Sequence, residues 1–169
     1  MKWLMLLGLV FETALLGAGL AHAEGKRAPV PDNPQWKEEC GSCHLAYPPR
    51  YLTGEDWQRL MGSLDRHFGD NAAIDPTLNR QILEFLRRNA GSGAKHSAST
   101  LRISDTPWFT REHREVPTRA WTDPAVKSPA NCTACHVAAE RGDWSERSIR
   151  MPAGVDEQEG EEDEEHDDD

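Results

Sequence analysis

The four cysteines of this 169-residue chain fall as two pairs, each followed at once by a histidine: CGSCH from Cys40 to His44 and CTACH from Cys132 to His136. No cysteine is left over. C-x-x-C-H is the attachment signature of a covalent haem. The spacing follows from the chemistry: two thiols about one helical turn apart reach the two vinyl groups of one porphyrin. The next residue then turns its imidazole to the iron from the same side. Two short-loop disulfides would leave His44 and His136 unexplained, and a thioredoxin-type pair needs a βαβ context that is absent here. A zinc site built from two such pairs has about 15–20 residues between them, whereas Cys43 and Cys132 are separated by 88. The pattern therefore implies two covalently bound haem c groups, held by Cys40, Cys43, Cys132 and Cys135.

Two porphyrins also answer a difficulty in the composition. Hydrophobic residues make up only 37 % of the chain, and the formal charge is -10, too polar for a large core of its own. Each porphyrin supplies an apolar plate on which a short chain packs, as disulfides or metals do in other small domains. The charge is unevenly spread. Residues 156–169 (DEQEGEEDEEHDDD) carry 11 acids and no Lys or Arg, whereas residues 24–155 carry 18 basic against 17 acidic side chains, a balance of +1. A basic nucleic-acid binder is excluded. Such a charge run reads as a disordered acidic tail, suited to steering toward a basic partner; divalent-metal binding there lacks EF-hand-like spacing.

At the other end, Met1-Lys2 precedes an apolar run and the small residues Ala21 and Ala23, as in a secretory signal peptide (1–23) cleaved before Glu24. An uncleaved anchor is the alternative, but Glu12 stands inside the run and a carboxylate there costs roughly 2.5–3.5 kcal/mol. The expected location is periplasmic. Only one apolar run is long enough to matter, which excludes a multi-span membrane protein.

Between the ends the signals are those of an all-α protein. After an extended lead-in (24–33), Asn33-Pro34 opens a helix expected to reach His44. Thr53 caps a second, expected over Gly54 to Phe68, whose inward stripe is Trp57, Leu60, Met61, Leu64 and Phe68. Asp75-Pro76 opens a third that ends near Asn89-Ala90-Gly91. These elements form an N-terminal haem domain (34–91). A small-residue linker follows (92–100), then a C-terminal haem domain (101–155). There Thr106-Pro107 opens a short helix with Trp108, Phe109 and His113, Val116-Pro117 ends it, and Ser128-Pro129 opens another that carries CTACH. Residues 140–152 are expected to wrap over the second haem edge. No β-hairpin signal is present.

Each motif supplies one axial ligand, His44 or His136. For the opposite faces, His22 leaves with the leader and His166 sits in the tail, so His67, His96 and His113 remain. His67 borders the apolar face of the second helix, which a haem must cover; packing or capping is the alternative role. His113 lies one turn after Phe109; a surface site between Glu112 and Arg114 is the alternative. His96 stands in the linker without apolar neighbours and is set aside. Each candidate lies 23 residues from its motif histidine, and local closure costs less loop entropy than crossed pairing. The expected pairs are thus His44/His67 and His113/His136. Met61 and Met151 are the alternatives, and Met61 suits packing better.

Beyond C-x-x-C-H, the runs WKEECGSCH (36–44), HFGDNA (67–72), ISDTPWFTREHREVP (103–117) and NCTACHVAAERGDWSERSIRMP (131–152) resemble the dihaem cytochrome c family of periplasmic electron carriers from proteobacteria. The resemblance covers about residues 34–152. It implies a class I cytochrome c-like N-terminal haem domain, a smaller and irregular C-terminal one, and bis-His ligation of both irons. It also implies redox-protein partners, a membrane b-type cytochrome and a soluble c-type haem protein, for single-electron relay. The acidic tail is not a feature of that resemblance. Two six-coordinate irons would leave no open position for a small-molecule substrate, so the chain reads as an electron-transfer protein and not as an enzyme. Two other readings compete: a haem enzyme or gas sensor with a displaceable sixth ligand, and a dihaem subunit of a larger reductase.

Overall fold

In the computed structural model, residues 30–153 and 155 are described. The leader (1–23), most of the lead-in and the acidic tail (156–169) lie outside the described residues. Helix α1 runs Pro34–Gly41, opened by Pro34 and by the Asn33 side chain, which accepts from Trp36 N at 2.9 Å. It stops short of His44. Glycine and serine are weak helix formers, and the Ser42 hydroxyl donates back to Glu39 O at 3.0 Å, competing with the helical ladder. The first motif therefore straddles a helix end, with Cys40 in the last turn and His44 beyond it.

Helix α2 spans Gly54–Met61. Thr53 Oγ1 caps the helix by accepting from Asp56 N at 3.1 Å, and its hydroxyl donates to Asp56 Oδ2 at 2.9 Å. The helix does not continue to Phe68. Gly62 is its C-cap, and Ser63 Oγ donates to Arg59 O and Leu60 O, so the chain tightens into a 3₁₀ turn at Leu64–Arg66. Helix α3, Pro76–Arg88, matches its expected span: Asp75 Oδ1 accepts from Thr77 N and Leu78 N, while Arg87 and Arg88 face the negative end of the dipole. Trp36, Leu52, Trp57, Leu60, Met61, Ile82, Phe85 and Leu86 form the buried core of these three helices. Each large apolar side chain so buried contributes about 1.5–3 kcal/mol.

Residues 92–100 run against this unit. Thr53 N donates to His96 O at 3.1 Å, Ala98 N to the buried Asp56 Oδ2 at 3.3 Å, and Arg59 to Ser99 O at 3.0 Å. Gly91 is pressed so closely that a Cβ there would lie 2.2 Å from Arg50 O; no side chain fits.

The rest of the chain is less regular. Helix α4, Pro107–Glu112, is capped by Thr106 Oγ1, which accepts from Phe109 N. Beyond it come 3₁₀ turns at Thr118–Thr122, Cys132–Ala134, Ala139–Arg141 and Glu146–Ser148. The helix expected from Ser128-Pro129 does not form, and CTACH occupies a single turn. Asn131 diverts the backbone: its side-chain amide donates to Val126 O, a local bond that competes with a helix, while its side-chain oxygen accepts from Thr133 Oγ1. Residues 149–150 return to the motif, with Arg150 N donating to Cys135 O at 2.9 Å and a bridge between His136 and Ile149. Among the described residues the secondary structure is helical with isolated bridges and no strands, so the fold is all-α. No described helix is long and apolar enough to cross a membrane.

Candidate haem sites

The first site is assembled from the end of α1 and the turn after α2. Cys40 packs against the helical core, and Cys43 and His44 lie exposed beyond it. A tight turn presents His67: Asp70 N donates to His67 O, and Phe68 adopts φ 53 and Gly69 φ 113, left-handed values that favour glycine at the second position. The His44 and His67 rings come together with centroids 6.1 Å apart and planes 22° from parallel. Tyr47 stacks on His44 at 4.7 Å, and Phe68 flanks His67. The His44 Nδ1 lies 2.7 Å from Leu45 O. A carbonyl only accepts, so Nδ1 carries the proton and Nε2 keeps its lone pair. Burial lowers the His67 pKa, with His44 and Arg102 adding and Asp70 opposing; the neutral form that a metal requires is favoured.

The second site is framed by rings. His113 caps the C-terminus of α4, and its backbone N and its Nδ1 both donate to Phe109 O, at 3.0 and 2.9 Å. That bond again leaves Nε2 as the basic nitrogen. The His113 ring stacks on Phe109 at 4.0 Å and meets the edge of Trp121 at 5.8 Å. His136 lies opposite, also at 6.1 Å, but the two planes cross at 81°. Trp144 packs beside His136 and meets Tyr51, which stacks on Trp108. A cavity of about 250 Å³ opens beside His113, bordered by Phe109, Trp121 and Pro129.

Both ring separations would leave room for one iron between the two imidazoles. Metal–imidazole bonds of about 2.0–2.1 Å on each side, plus the distance from nitrogen to ring centre, separate two such rings by about 6 Å. Burial pushes the Cys40 and Cys132 thiols up to about 11, favouring the neutral thiol. Among the described residues no cluster of three or more His, Cys, Asp or Glu is arranged to hold an ion. The four cysteines are not joined in disulfides.

The structure thus brings His44 to His67 and His113 to His136. His96 joins neither pair, yet it is not a solvated linker residue: it is half-buried, its ring lies 5.8 Å from Trp108, and its buried Nδ1 has no hydrogen-bond partner. Met61 is 5 % exposed and belongs to the apolar core. Sequence reasoning missed the rings around the histidines, Tyr47, Trp121 and Trp144. A signal was available: three of the six tryptophans fall between residues 108 and 144, where aliphatic periodicity is weakest.

Two five-residue motifs, each facing a second histidine on an all-α scaffold, define a c-type haem protein with two sites. The family model for dihaem cytochrome c matches residues 36–144, and the chain belongs to that family. Among solved structures it is similar to a diheme cytochrome c from Shewanella baltica, at 36 % identity and TM-score 0.63 over 73 % of this chain and 96 % of that one. It is also similar to the diheme cytochrome c from Rhodobacter sphaeroides, at 39 % identity and TM-score 0.60 over 68 % and 98 %. A further structure of that protein shares 41 % identity, with TM-score 0.58 over 67 % and 97 %. Comparison with curated proteins gave no match. The chain is a dihaem c-type cytochrome, with Cys40, Cys43, Cys132 and Cys135 fitting two covalent haem c groups.

Proposed function

We propose that the protein is a periplasmic electron carrier in which both irons are held by two histidines, His44 with His67 and His113 with His136. The observation that carries this reading is the common 6.1 Å separation of the two imidazole pairs. When bound, each covalent haem supplies an iron that takes up and gives back a single electron. The chain's part is to hold the irons six-coordinate and keep other ligands out. The Leu45 and Phe109 carbonyls set the tautomers of His44 and His113, and such outer hydrogen bonds also raise ligand basicity. Phe109 and Trp121 wall the His113 side. With no open position, the natural partners are other redox proteins, in line with the family, and the chemistry favours no small-molecule substrate. Export is supported by the leader sequence ending at Ala23.

A haem count and carbon monoxide test the proposal together. The purified protein should contain two haems per chain, begin at Glu24, and keep its reduced spectrum unchanged under carbon monoxide. Rapid formation of an adduct at either centre would show a displaceable sixth ligand and favour a sensor or enzyme instead.

A further inference from the structure

The two sites are joined by a short bridge. Tyr47, three residues after the first motif, lays its ring on His44 with centroids 4.7 Å apart and planes 19° from parallel. Its hydroxyl crosses 83 residues of sequence to donate to Ala130 O at 2.6 Å. The same carbonyl accepts the backbone N–H of Cys132 at 3.0 Å, the first thiol of the second motif. The order is therefore imidazole ring, phenol ring, hydroxyl, carbonyl, amide and cysteine, with no covalent gap beyond one ring stack and two hydrogen bonds. A further ring contact between the two halves, from Tyr51 to Trp108 and Trp144, starts on neither histidine of the first pair.

We infer that Tyr47 is a positioning residue that links the two redox centres, holding the second motif in register with His44 and offering electrons a route of one ring stack and two hydrogen bonds from His44 to Cys132. The inference rests on the proposed ligation by His44. Two physical effects act together. Electronic coupling decays more slowly through covalent and hydrogen bonds than across a van der Waals gap, so the hydroxyl bridge favours exchange. A hydrogen bond to a carbonyl also fixes distance and angle, restricting how far the second motif can move from the first. In the exchange one iron is oxidised by one electron as the other is reduced by the same electron; no proton or other reactant is required.

Tyr47→Phe separates the bridge from the packing, because the ring and its stack on His44 remain and only the hydroxyl is lost. The holoprotein, half-reduced, is measured by NMR exchange broadening or by flash reduction of one centre. The expected result is electron exchange between the centres slowed several-fold, with both reduction potentials and both low-spin EPR signals unchanged. Tyr47→Leu, which also removes the ring, should slow exchange further. Wild-type exchange in Tyr47→Phe overturns the inference, as does slowing accompanied by an altered EPR signal at the first centre, since ligand movement would then be the cause. A high-spin signal in the wild-type protein would overturn the underlying ligation instead, so the two failures are distinct.

Discussion

The two halves of the molecule hold their histidine pairs at one separation by different means. In the first half, three capped helices bury Trp36, Leu52, Trp57, Ile82, Phe85 and Leu86 in a core of large apolar side chains. His67 is presented by a turn at the edge of that core. In the second half the buried apolar residues beyond Phe109 are small, namely Ala120, Val126, Ala138, Ala139 and Val155. Half-buried rings and short 3₁₀ turns stand in for helices there. The first half is thus ordered chiefly by its own large apolar side chains, and the second chiefly by rings and short turns around the second motif. The ring planes differ as well: 22° apart where a tight turn supplies His67, 81° where the Phe109 carbonyl and ring hold His113.

The largest test of that contrast is removal of one anchor pair at a time. In Cys132→Ala/Cys135→Ala the amides of α2 and α3 should keep their hydrogen-exchange protection, while residues 104–152 exchange rapidly. Loss of protection in α2 and α3 would show that the first half also depends on the second haem. A smaller effect is expected for Gly91→Ala, whose Cβ would meet Arg50 O. Overpacking of this kind costs about 1–3 kcal/mol, read as a lower denaturant midpoint with the second-site spectrum unchanged at low denaturant. The smallest effect belongs to the acidic tail. Deleting residues 156–169 should leave both centres unaltered and slow only the low-salt rate of electron transfer to a basic redox protein, flattening its salt dependence.

What the sequence made legible follows the same division. The first half announces itself through caps and periodicity: Asn33-Pro34, Thr53 and Asp75-Pro76 begin helices where they should, and α3 has its expected span. The ends were less legible because Ser42 and Ser63 bond back to the preceding carbonyls, a local competition that periodicity does not reveal. That matters for His67. The apolar stripe puts it on a continuous helix, whereas a 3₁₀ turn and the left-handed Phe68 bring it to His44 by another route. In the second half, Thr106-Pro107 marks α4 correctly. The helix expected around CTACH fails where the Asn131 side chain takes the Val126 carbonyl as a local partner. The link from Tyr47 to Ala130 spans too much sequence for any local pattern to show; only folding reveals it.

The central claim, two bis-histidine centres of unequal geometry, is tested most directly by low-temperature EPR of the fully oxidised protein. Parallel imidazole planes separate the two iron d orbitals that mix with the ligand π systems, giving a rhombic low-spin signal. Crossed planes leave those orbitals nearly equal in energy, giving a strongly anisotropic low-spin signal. The account predicts one of each in equal amounts, the rhombic signal lost in His67→Ala and the anisotropic one in His113→Ala. A high-spin signal in the wild-type protein, or a signal that survives loss of its assigned histidine, would contradict it.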